Sequence, residues 1–243
     1  MVAKKSELSL VTATDKAAEK KILSILRKNF PDHATLTEES PPSGRSECRW
    51  IIDPLDGTTN FVHAFPVACV SIAYEEEGEV RMGGVFDPFR DELFFAELGK
   101  GAALNGRKIR VSSNKTLADS LLATGFPYDR RQKADEYLAI FKSFMMKCQG
   151  LRRLGAAALD LCYVACGRYD GYWELKLQSW DKAAGDLIIR EAGGRTSDFS
   201  GRPLALEGAQ NAASNGRIHE EMLEVLRPFR ETGKHSKSNQ RSK

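Results

Sequence analysis

Apolar residues at Ala18, Ile22, Ile25 and Leu26 recur at i, i+4, i+7 and i+8. This spacing predicts an amphipathic helix over residues 15–30, with Thr14 as its N-cap and Pro31 as its stop. Residues 34–36 and 50–52 read as short strands on either side of a Pro/Ser/Gly loop. Residues 67–74, 80–86 and 93–96 then read as strands. The connections between them are too short for anything but antiparallel pairing, and Asn105-Gly106 marks a further tight turn. Beyond residue 115 the pattern changes. Strands are predicted over 121–125 and 170–174, and helices over 133–147, 156–166, 181–192 and 217–226. Gly193-Gly194 closes the third of these helices as a C-cap. A helix, a meander, then alternating helix and strand predict an α+β protein of layered sheets and helices. The weak boundary near residues 111–118 divides it into an N-terminal half (1–114), a C-terminal half (115–230) and a tail (231–243).

Composition narrows the class. The 243 residues are 42% hydrophobic and 28% charged, ordinary for a folded soluble chain. The net charge of +3 is matched by the tail alone, where Lys234, Lys237, Arg241 and Lys243 stand against Glu231. The body is therefore near neutral, which argues against nucleic acid as a partner. The tail is Ser-, Lys- and Asn-rich and is expected to be disordered. Five cysteines without a CxxC pair suit a reducing cytoplasm. Cys162 and Cys166, four apart on one helical face, read as small core residues. The start has no apolar leader, and no apolar run is long enough to span a membrane.

The chemistry concentrates in residues 50–61, WIIDPLDGTTNF. An apolar strand ends at Asp53, Pro54 removes an amide donor, and Asp56-Gly57 makes a turn. Asp53, Asp56 and the Leu55 carbonyl between them offer hard oxygen ligands of the kind Mg²⁺ takes. Gly57, Thr58 and Thr59 offer amides and hydroxyls to a phosphate. Asp-Pro and Asp-Gly are also common turn pairs. Glu38-Glu39 reads as an acidic pair after a strand, and Asp181 as the N-cap of a helix, a role that leaves its second oxygen for a metal.

Taken together and in order, DPLDGTTNF and WDKAAGDLIIREAGG resemble the two signatures of the inositol monophosphatase family. EES (38–40), VTATD (11–15), LGAAALD (154–160) and GYWE (171–174) match further blocks, so the likeness covers residues 10–226. It implies a layered αβαβα sandwich of the sugar-phosphatase type. Members carry a further N-terminal helix, whereas only ten residues precede the first matching block here, so that first helix is expected to be missing.

The resemblance also implies roles. Glu38, Asp53, Leu55 (through its carbonyl), Asp56 and Asp181 would bind Mg²⁺. Glu38, Thr58 and Asp15 would be catalytic, with Thr58 and Asp15 as the pair that activates the attacking water. Leu55, Asp56, Gly57 and Thr58 would hold the phosphate end of the substrate. Gly155, Ala156, Ala157, Glu174 and Asp181 would meet the hydroxyls of a phosphorylated polyol. Lys4 or Lys5 would fall in a loop beside the metals. The implied protein is a Li⁺-sensitive, homodimeric phosphatase acting on myo-inositol 1-phosphate without a covalent intermediate. Within the superfamily the alternatives are fructose 1,6-bisphosphate and NADP or nucleotide substrates. A haloacid-dehalogenase-type enzyme is a rival, but its two aspartates are two residues apart, not three. A regulatory protein acting on the transcription machinery is another, supported by the basic tail.

Overall fold

The chain alternates between elements that are apolar on one face and those apolar on both, and the layers follow from this. The computed structural model describes residues 2–4 and 10–230; the tail 231–243 and Lys5 lie outside the described residues. Strands β1 (Val2–Lys4) and β2 (Leu10–Thr12) pair antiparallel and lead into helix α1 (Ala13–Asn29). β3 (Ala34–Thr37), β4 (Cys48–Asp56), β5 (Cys69–Glu76), β6 (Glu79–Asp87), β7 (Glu92–Glu97), β8 (Gly101–Leu104) and β9 (Arg107–Lys108) form one seven-stranded sheet in sequence order. β3 lies parallel to β4, and the remaining pairs are antiparallel. A five-residue helix, α2 (Thr58–Val62), interrupts the passage from β4 to β5.

The second sheet, ordered β11-β10-β12-β14-β13, is mixed. β10 (Leu121–Thr124) runs parallel to β11 (Gly150–Arg152) and to β12 (Gly171–Leu175). β14 (Gln210–Ser214) runs antiparallel to β12 and to β13 (Arg195–Ser197). Its helices are α3 (Ala134–Met145), α4 (Ala157–Ala165), α5 (Ser179–Glu191) and α6 (His219–Leu226).

Burial orders these elements into α-β-α-β-α layers. α4 and α5 lie between the sheets, with Leu159, Leu161, Leu187 and Ile188 fully buried in a core that also holds Ile51, Val85 and Phe94 of the first sheet and Tyr172 of the second. α3 and α6 cover the far face of the second sheet through Ile140, Phe144, Met222 and Leu226, packed on Leu122 and Trp173. α1 covers the far face of the first sheet, with Leu23 and Leu26 on Ile52; each such side chain contributes about 1.5–3 kcal/mol. Gly83 permits the central contact, since a Cβ there would come within 2.9 Å of the Ala184 backbone on α5. Asn105 and Gly106, with φ of 48° and 75°, make the tight β8–β9 turn that their identities predict.

Three local expectations need correction. The N-cap of α1 is Thr12, not Thr14, and Asp15 completes a capping box with it. The buried face of α1 carries Asp15, Glu19, Leu23 and Leu26, while Ile25 is 51% exposed. α5 begins before Asp181: Gln178 is its N-cap and Asp181 its third residue. Cys162 is buried as a core residue, Cys166 is half-buried, and all five cysteines are free.

Candidate active site

The site forms where β4 fails to stay regular. In a strand, residues three apart face opposite sides, so Asp53 and Asp56 would diverge. β4 does not end at Asp53 as expected but continues to Asp56, and its register against β5 shifts between them, pairing Asp53 with Ser71 and Asp56 with Cys69. Pro54, which has no amide to donate, occupies this irregularity. The result is that both aspartates are buried (2% and 9% exposed) and line one cavity.

That cavity, of about 660 Å³, also receives Glu38, Leu55, Gly57, Thr58, Gly155, Ala157, Glu174 and Asp181. Residues far apart in the chain therefore converge. Asp15 sits behind this lining, fully buried; it accepts from Thr12 N at 2.7 Å and from Thr58 Oγ1 at 3.0 Å. Ala156 differs from its neighbours: it is fully buried in the core between the sheets and is not part of the lining. Lys4 is the last residue of β1.

Backbone contacts orient the acids. Leu55 N donates to Asp53 Oδ1 at 2.9 Å, and Gln178 N to Asp181 Oδ2 at 2.6 Å. Asp56 Oδ2 accepts from Ala158 N at 2.7 Å, so it supplies from 102 positions away the cap that α4 lacks locally. Gly57 takes φ = 91°, and a Cβ there would lie 2.8 Å from Val67 O. Only glycine turns the chain from β4 into α2 at this point.

Electrostatics set the character of the site. Burial, then Glu38, Asp56 and Asp181, push the Asp53 carboxyl well above its ordinary range. Burial and Glu38 raise Asp56 to about 6, against the stabilising Ala158 amide. Burial, then Asp56, Glu38 and Glu174, raise Asp181. Burial raises Glu174 to about 7, opposed by the Tyr172 hydroxyl and by Arg153. Among the described residues no three acidic, cysteine or histidine side chains close around one point as a finished coordination sphere. Instead, Glu38, Asp53, Asp56 and Asp181 share a cavity with a strand carbonyl, and burial and neighbouring acids disfavour the charged forms of the three aspartates. Such a set of hard oxygen donors suits a divalent cation of the Mg²⁺ type.

Sequence reasoning did not anticipate the outer wall, where Tyr128, Arg130, Arg153 and Lys176 join the lining. A signal existed for Arg153, which directly precedes the matched LGAAALD block, but none marked the 128–130 loop.

This fold and this cavity define a metal-assisted phosphatase of the layered α/β kind. The description Inositol monophosphatase family matches residues 2–231, and the chain belongs to that family. A Pasteurella multocida protein called Nus factor SuhB is 46% identical over 226 residues, covering 92% of this chain and 85% of its own. The structure of inositol monophosphatase from Anabaena superposes with a TM-score of 0.87 at 46% identity, covering 90% of this chain and 87% of the other. An IMPase/NADP phosphatase complexed with Mg²⁺ and phosphate superposes at 0.83 with 26% identity, covering 93% and 85%. Among the described residues no helix is long and apolar enough to cross a membrane.

Proposed function

We propose that this protein hydrolyses a small phosphomonoester with Mg²⁺ as cofactor, with myo-inositol 1-phosphate as the substrate, giving inositol and phosphate. The observation that carries this reading is the convergence of Glu38, Asp53, Asp56 and Asp181 on one cavity, where burial and neighbouring acids raise the three aspartates, an arrangement that bound cations relieve. Glu38, Asp53, Asp56, Asp181 and the Leu55 carbonyl would hold the metal. When bound, Mg²⁺ supplies charge neutralisation of the phosphate dianion and acidifies water near neutral pH.

The remaining work falls to the chain itself. Thr58 Oγ1 stands 3.0 Å from both Asp15 Oδ1 and Leu55 O. Its single hydrogen is committed to these acceptors, so its lone pairs face a water as hydrogen-bond acceptors. Asp15, fixed by Thr12, holds the threonine in that orientation. The Gly57 and Thr58 amides hold the phosphate, placing it in line with the water for direct displacement without a covalent intermediate. On the far side, Glu174 and the backbone around Gly155 and Ala157 meet the polyol hydroxyls. A carboxyl titrating near 7 both donates to and accepts from them.

The test is a substrate panel with Mg²⁺, with and without Li⁺. Inositol 1-phosphate, fructose 1,6-bisphosphate and NADP are compared for phosphate release, with inositol 1-phosphate expected to be turned over most efficiently and Li⁺ to inhibit. Failure to release phosphate from any of the three would end this reading. The relative called Nus factor favours a second role in transcription complexes. Capture of transcription components that survives Asp53→Asn and needs residues 234–243 would support that role; loss of capture with Asp53→Asn would remove it.

A further inference from the structure

α1 carries two acidic side chains one turn apart, Asp15 and Glu19, on the same face as Leu23 and Leu26. Both are buried, at 0% and 4% exposure. A buried carboxylate needs donors, and those of Glu19 come from one place. Its Oε2 accepts from Glu39 N at 3.0 Å, and its Oε1 accepts from the Ser40 hydroxyl. These are the two residues that follow Glu38. Within the turn, Ser40 N to Thr37 Oγ1 and Thr37 Oγ1 to Ser40 O are long contacts, each at 3.3 Å. Glu38 N reaches Ile52 O at 3.3 Å.

A helix strapped to that turn by both oxygens of one carboxylate therefore fixes where Glu38 stands. The same helix, through Asp15, fixes Thr58 on the other side of the cavity. We infer that Glu19 is a positioning residue for divalent-cation binding: it locks the Glu38–Ser40 turn so that the Glu38 carboxylate faces Asp53 and Asp56. This inference rests on the cavity's being a cation site.

The consequence is separable from stability. With the strap removed, the Glu38–Ser40 turn loses two of the bonds that order it, and that ordering is then drawn from cation binding. The loss then appears as affinity for the ion, not as a lower rate once the ion is saturating. Outer residues that orient metal ligands are worth about 10–100-fold in metal affinity, and Glu19→Ala is expected to fall in that range. Glu19→Gln, which keeps one acceptor, and Ser40→Ala, which removes one donor at the exposed end of the turn, should each weaken affinity by a smaller factor in the same direction.

The experiment measures Mn²⁺ binding by electron paramagnetic resonance and Mg²⁺ binding by calorimetry, both with inorganic phosphate present. It compares wild type, these three variants and Leu23→Ala, which loosens α1 without touching the turn. The Mg²⁺ concentration for half-maximal phosphate release should rise in parallel with Kd, with kcat at saturating Mg²⁺ near wild type. Leu23→Ala should lower Tm and leave Kd unchanged. If wild type binds and Glu19→Gln and Ser40→Ala bind equally well, the positioning role is refuted even where Glu19→Ala does not fold. If wild type itself takes up no divalent ion, the cation-site reading falls and this inference with it.

Discussion

Two buried polar clusters occupy opposite ends of the second sheet's surroundings, and they solve the same problem in opposite ways. Just before β12, Asp170 is buried, yet Ser112 Oγ donates to its Oδ1 at 2.5 Å and Leu121 N to its Oδ2 at 2.7 Å. Nearby, His219 is fully buried between the hydroxyls of Ser197 and Ser214, each at 2.8 Å. Every member there has a neutral hydrogen-bond partner. In the cavity, Asp53, Asp56 and Asp181 are set against one another and against Glu38. A buried acid surrounded by donors is satisfied by the fold, whereas buried acids surrounded by acids are, on the function proposed above, satisfied by a cation.

The largest effects should come from asparagine at the cavity aspartates. Asp53→Asn or Asp181→Asn is expected to cut kcat by about 10²–10⁴-fold, the scale of a lost proton-transfer or charge-stabilising group. Because each also removes a repelling charge, the metal-free variant should melt above metal-free wild type. Steady-state kinetics and thermal melts in chelator check the two halves, and a variant that is both slow and less stable breaks the contrast. Next comes Asp170→Ala in the other cluster. It strands the Ser112 hydroxyl and the Leu121 amide, at about 1–3 kcal/mol for each buried donor left unsatisfied. Denaturant unfolding should show that loss, while the Mg²⁺ dependence of the folded fraction stays unchanged.

pH separates the clusters more gently. In chelator-treated protein the folded state holds the Asp56 proton up to about 6, against an ordinary value near 4. The stabilisation from that retained proton is complete below about 4 and is lost as pH rises through 6. His219 runs the other way. Burial, with Arg195 nearby, depresses its ring to about 4 from the usual 6.5. Its contribution is complete above about 6.5 and is lost as pH falls through 4. The two contributions therefore run in opposite directions through the same window, about pH 4 to 6.5, and offset each other in wild type. Asp56→Asn removes one of them, so in chelator its melting temperature should rise more steeply than that of wild type between about pH 4 and 6.5. Equal slopes for the two proteins would show that the cavity does not hold the Asp56 proton.

The contrast also explains what could be read from the residues alone. Alternation over β5, β6 and β7 placed those strands, because one face of each is buried in the inter-sheet core. The paired signatures around Asp53 and Asp181 located the cavity. The shift at Pro54 was not legible, since no periodic pattern carries an irregular pairing, and it alone brings Asp53 and Asp56 to one side. The stripe predicted for α1 ran through Ile25 because it was drawn through apolar residues, whereas the buried face includes Asp15 and Glu19, each of which finds donors inside. β14 escaped notice because Gln210–Ser214 lacks the β-branched and aromatic residues that mark strands, and β13, at three residues, is too short to show an alternation. Ala156 was grouped with its neighbours at the site, but the start of α4 turns it into the core.

Glu174 offers the finest division, because it shares the cavity with Asp56 and Asp181 yet also has the Tyr172 hydroxyl and Arg153 as partners. It lies at the end of β12, and the Tyr172 hydroxyl donates to its Oε2. Gly125 leaves room for its carboxylate, which a Cβ there would strike. Burial lifts it to about 7, while Tyr172 and Arg153 pull the other way. A group with these neighbours should orient a polyol hydroxyl and leave charge on the phosphate untouched. Glu174→Gln is thus expected to raise KM by about 10-fold, the cost of one hydrogen bond to a charged group, with kcat within about threefold of wild type. The pH dependence of KM near 7 should vanish with it, and Mn²⁺ affinity should be unchanged. If the variant instead loses kcat and Mn²⁺ affinity together, Glu174 belongs with the cation-facing acids and the boundary between the two kinds of buried carboxylate runs through Tyr172.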